Sequence, residues 1–155
     1  MIPRLRLAFG VAVLLAGCTR AGSQRFPELE IVGGVPSGFT WQFQNGPDFY
    51  VYRATSSAQP ESAVGVYFGR APSFHPNAEA SPEVGSFAGK AVAWEAPARP
   101  AGPLRRDALV PYRHNYSSLE LKLHLWVQAS SKEQLTELMA ALSGAKVQAR
   151  KAGPA

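Results

Sequence analysis

An α+β domain is what the 155-residue chain predicts: an antiparallel sheet of about five or six strands with a C-terminal helix packed on one face. Two runs alternate apolar and polar residues at the period of a strand, over 39–44 and 119–127. Only one segment, near the C-terminus, carries the apolar spacing of a helix. No glycine-rich phosphate loop follows a strand, and helices do not alternate with strands, so a doubly wound nucleotide-binding fold is disfavoured.

Taken in chain order, Phe39-Thr40-Trp41-Gln42-Phe43-Gln44 places its aromatic rings on one face and its polar groups on the other. Asn45-Gly46-Pro47-Asp48 is a turn signal, and residues 49–54, rich in Tyr and Val, complete a hairpin. Residues 63–68 form a further strand with Val64, Val66 and Phe68 on one side. Residues 87–94 read as one strand in which Ala88, Val92 and Trp94 share a parity that Lys90 breaks. Residues 108–112 read as a weaker strand, because Pro111 restricts it to an edge or a short piece.

The most regular strand is 119–127, with Leu119, Leu121, Leu123, Leu125 and Val127 on one face and Glu120, Lys122, His124 and Trp126 on the other. A slip of one residue would turn the whole apolar set toward water, so its register is firmly specified. Ser130 and Glu133 have the spacing of a capping box. Leu135, Leu138, Met139 and Leu142 then form the helical stripe, and Gly144 is placed to end it.

The N-terminus has a different character. Met1-Ile2-Pro3-Arg4-Leu5-Arg6 is a short basic start, and residues 7–17 carry no charged or polar side chain. Eleven helical residues reach only ~16 Å, against a hydrocarbon core of ~30 Å, which suits a secretion signal better than a membrane span. The stretch ends in Leu15-Ala16-Gly17-Cys18, which resembles the lipobox of bacterial lipoproteins. The resemblance implies diacylglyceryl transfer to the Cys18 sulfur and cleavage before it, with acylation of the new amine in many Gram-negative bacteria. It also implies that Thr19, where Asp would signal retention in enteric bacteria, directs the product to the periplasmic face of the outer membrane. Two or three acyl chains on one residue are enough for stable anchoring. The expected organisation is a signal over 1–17, a flexible tether over 18–27, one β-rich domain over 28–148 and a disordered basic tail over 149–155.

Loss of Arg4 and Arg6 with the signal leaves 14 basic and 11 acidic side chains, a net charge of +3 in place of +5. That is mild, and no basic stripe interleaved with aromatic residues points to nucleic acid. Cys18 is the single cysteine, so acylation would leave no thiol for a disulfide, a zinc site or a nucleophile. His75, His114 and His124 show no metal-ligand spacing and read as solvated, and no Gly-x-Ser-x-Gly elbow is present. Asp107 follows Arg105-Arg106 and most simply offsets local charge. No catalytic, cofactor or metal site is expected.

Candidate contact residues lie on two long proline-rich loops. Residues 69–86 hold Arg70, Phe74 and His75, and residues 95–107 hold Arg105 and Arg106. Arginines there suit an anionic partner such as a phosphate headgroup, a cell-wall carboxylate or an acidic protein patch. The same segments also fit simple spans between strand ends. Tyr50, Tyr52 and Trp126 could form an aromatic sheet face open to a protein or glycan partner, or lie under a loop. The function expected is therefore that of a lipid-anchored, non-catalytic envelope protein that binds or supports another envelope component. The alternatives are an enzyme acting on cell wall or lipid, with His75 or His114 as base, and a purely structural tether.

Overall fold

The structure, a computed structural model, describes residues 29–79, 81–98, 102–113 and 120–149. Among these described residues, nine strands and one helix follow in order: β1 (Leu29–Val32), β2 (Thr40–Asn45), β3 (Phe49–Ser56), β4 (Gln59–Gly69), β5 (Glu83–Phe87), β6 (Lys90–Trp94), β7 (Leu104–Arg113), β8 (Glu120–Ala129), α1 (Lys132–Leu142) and β9 (Lys146–Ala149). Five of the strands form an antiparallel sheet in the order β2-β3-β4-β8-β7, while β5-β6 and β1-β9 form two further pairs. The α+β class holds, with the helix a small share of the whole.

Alternation explains the register. Val64, Val66 and Phe68 of β4 stand opposite Val127, Leu125 and Leu123 of β8, and all six are buried. Ala54, Tyr52 and Tyr50 of β3 extend that row on one side and Ala108 and Val110 of β7 on the other. This inner face is covered by Leu135, Leu138 and Leu142 of α1, by Phe87, Val92 and Trp94 of the β5-β6 hairpin, and by Leu29 and Ile31 of β1. Each such aliphatic side chain removed from water contributes ~1.5–3 kcal/mol. The Tyr52 hydroxyl donates to the Leu29 carbonyl, tying β1 to the sheet.

Several expectations need correction. Residues 87–94 are not one strand but the end of β5, a two-residue turn and β6. Ala88 (φ 49°) and Gly89 (φ 75°) both have positive φ, the condition of a type I′ hairpin turn. Lys90, the first residue of β6 beside that turn, keeps the parity of Val92 and Trp94 but is exposed, with its Nζ 4.9 Å over the Tyr112 ring. The β7 strand is ten residues long and starts at Leu104, so the second loop is shorter than expected; it is a sheet edge, where Pro111 is tolerated. The first loop likewise ends at β5. The helix cap lies one residue later: Ser131 Oγ accepts the Gln134 N–H at 3.2 Å. Gln134 is preferred because its amide oxygen also accepts from Ser62 Oγ at 2.7 Å and Ser130 Oγ at 2.9 Å, fastening α1 to β4. Ala149, expected in the tail, pairs with Leu29. Residues 1–17 with the signal, Cys18, the tether, His114 and the tail beyond Ala149 lie outside the described residues.

Candidate functional site

The outer face of the five-stranded sheet is built from the other parity of each strand. One row across it reads Gln42, Arg53, Gly65, Trp126 and Asp107, and the next reads Gln44, Val51, Tyr67, His124 and Leu109. At Gly65 an added Cβ would stand 1.9 Å from the Trp126 ring, so the indole lies directly over that glycine. Tyr67 lies over Gly69 in the same manner and stacks on Phe49, with ring centroids 5.7 Å apart. Two glycines of β4 thus provide flat beds for two half-buried aromatic rings.

Beside Trp126 is a buried polar cluster. Arg105 grips Asp107 with both arms of its guanidinium, Nε to Oδ2 at 2.8 Å and Nη2 to Oδ1 at 2.7 Å. His124 Nε2 meets the same Oδ1 at 2.8 Å, and its side chain is 6% exposed. Burial alone pushes the Asp107 carboxyl up, but hydrogen bonds from His124 and Arg105 outweigh it and hold the group below the ordinary carboxylate value. The bond to Asp107 in turn raises the Arg105 guanidinium. Asp107 is therefore an anion, His124 donates Nε2–H to it, and Arg105 neutralises the pair. A carboxylate compensated in this way orients the imidazole more than it activates it as a base.

The two proline-rich loops converge on this cluster. Phe74 stacks on His124 at 5.4 Å with an interplanar angle of 19°, closing the ring off from water. The backbone of Glu95 pairs with that of Asp107, while its carboxylate accepts the Asn77 N–H at 2.8 Å. One residue thus holds the first loop to the edge of the sheet. Ser73, Phe74, Pro97 and Pro103 frame a depression of about 310 Å³ against Arg105, Asp107 and His124. An adjoining depression of about 430 Å³ is lined by Arg53, Tyr67, Ser73, Arg105, Trp126 and Gln128, among others.

Of the expected contact residues, Phe74 and Arg105 meet at this site, and His75 is exposed in the same loop. Arg70 is exposed at the end of β4. Arg106 faces the opposite way from Arg105 and pairs with Glu83 of β5 at 2.6 Å, away from the cluster. Tyr50 and Tyr52 do not share a face with Trp126; both are buried in the core, and Tyr67 takes their place on the outer face. His124 is not solvated, and Asp107 offsets charge as expected but does so from a buried position. Sequence reasoning missed Arg53 and Tyr67 and did not join Asp107 to His124. The sequence carries no alternation upstream of Ala108, where Arg105, Arg106 and Asp107 run together, and only the register of β7 on β8 joins Asp107 to His124.

Among the described residues no three His, Cys, Asp or Glu side chains could hold a metal ion, and no helix is long and apolar enough to cross a membrane. Comparison with family models, curated proteins and solved structures gives no match to this chain.

Proposed function

We propose that the chain is a lipid-anchored envelope protein, held by acylated Cys18 at the periplasmic face of the outer membrane, whose folded body binds another envelope component without catalysing a reaction. The anchor rests on the lipobox motif. The observation that carries the binding role is the outer sheet face: half-buried Trp126, Tyr67 and Phe74 and the guanidinium groups of Arg53 and Arg105 gather in adjoining depressions under two pinned loops. Tryptophan, tyrosine and arginine are the side chains that dominate contact energies at interfaces.

The specific observation favouring an enzyme is the buried His124–Asp107 pair with Ser73 nearby. Compensation by Arg105 and closure under Phe74 favour a structural role for that pair instead. Copurification from detergent-solubilised membranes tests the binding role. A component enriched with the wild-type protein and lost with Trp126→Ala is expected. Recovery of the wild-type body alone would overturn the binding role.

A further inference from the structure

Resting on the reading that the outer face is the binding surface, we propose that its occupant is a glycan whose sugar rings carry carboxylates. Arg53 and Trp126 line one depression from opposite sides of Gly65. They stand two strands apart, or ~10 Å between backbones. The indole lies flat over that glycine with the Arg105 guanidinium carbon 6.0 Å from its ring centroid. The part of its electron-rich face that stays half-exposed is a surface on which the weakly positive C–H bonds of a sugar ring stack. Tyr67 and Phe49 continue the flat surface along the sheet.

The charge of the site selects the ring substituent. Arg105 is neutralised by Asp107, whereas Arg53 is exposed and has no ion pair or hydrogen bond among the described residues. Arg53 is thus the uncompensated cation of this depression, with a planar fork suited to a carboxylate. Gln128 uses its amide N–H₂ on the Glu61 carbonyl, which leaves its amide oxygen to accept from a sugar hydroxyl. A flat aromatic bed, one free guanidinium and a polar rim fit a chain of acidic sugars better than they fit an apolar peptide segment, which would need a deeper pocket.

The test uses the mature acylated protein in detergent and three probes: carboxylate-bearing amino-sugar oligosaccharides, neutral amino-sugar oligosaccharides of equal length, and poly-glutamate. Quenching of tryptophan emission and calorimetry read binding. The acidic oligosaccharide is expected to bind with its affinity reduced about tenfold or more by Arg53→Gln and by Trp126→Ala, and to be preferred over the neutral one by a similar factor. Arg53→Lys is expected to recover part of the loss, which a merely structural role would not show. Equal binding of the neutral sugar would overturn the role of Arg53, and preference for poly-glutamate would point to a protein partner and overturn the glycan. Absence of glycan binding, with a protein still lost from membranes on Trp126→Ala, would sink this inference while leaving the binding role intact.

Discussion

At the scale of single residues, Asp107 and Gly65 decide whether the outer face exists. Asp107 is 2% exposed and holds both Arg105 and His124, so its removal leaves two buried or half-buried donors without an acceptor. Asp107→Ala is expected to cost ~2–3 kcal/mol at neutral pH by urea denaturation, because Arg105, 37% exposed, keeps contact with water. Because the folded carboxyl lies below its unfolded value of about 3.9, its stabilisation is complete above that pH and is lost as the pH falls through the lowered folded value. The gap between wild type and variant should therefore close in acid, and a gap that persists unchanged at pH ~2 would contradict the assignment. Gly65→Ala would drive a Cβ into the indole ring, costing ~1–3 kcal/mol and lifting Trp126 off its bed. A red-shifted tryptophan emission would report it. Neither role was legible in the sequence: Asp107 and His124 are 17 residues apart, and only the register of β7 on β8 brings them together.

Elements were legible in proportion to their periodicity. The strands around Trp41, Tyr52, Val66 and Leu125 have apolar residues on one parity, and burial of that parity sets their pairing. The β1-β9 pair was missed because four residues are too few to show a period. The β5-β6 hairpin was missed for a different reason: its turn begins with Ala88, which has no local preference for positive φ. That conformation costs an alanine ~1–2 kcal/mol. Ala88→Asn, which creates an Asn-Gly turn whose glycine faces open space, is expected to stabilise the protein by ~1 kcal/mol. A higher denaturation midpoint at unchanged slope would show it, and a lower midpoint would mean that the Ala88 methyl contributes more to the core than its turn costs. The helix was found from its stripe, but its cap was displaced because two Ser-x-x-Glu/Gln registers overlap and only the contact with Ser62 chooses between them.

For the molecule as a whole, the division of labour follows from the two faces of one sheet. The inner face is covered by α1, the β5-β6 hairpin and β1, and accounts for the core. The outer face is left to two loops, and its aromatic and cationic side chains remain within reach of a partner. Composition and motif could suggest an anchored binding body, but they could not say which face binds, since that depends on where the hairpin and helix pack. Photo-crosslinking in intact cells tests this most directly, with a photoreactive residue at Val51 in the outer depression or at Val84, which is 88% exposed on β5. Adducts, read as a mass shift or as sedimentation with the wall fraction, are expected from position 51 and not from position 84. Adducts from position 84 alone, or equally from both, would contradict the outer face as the contact surface.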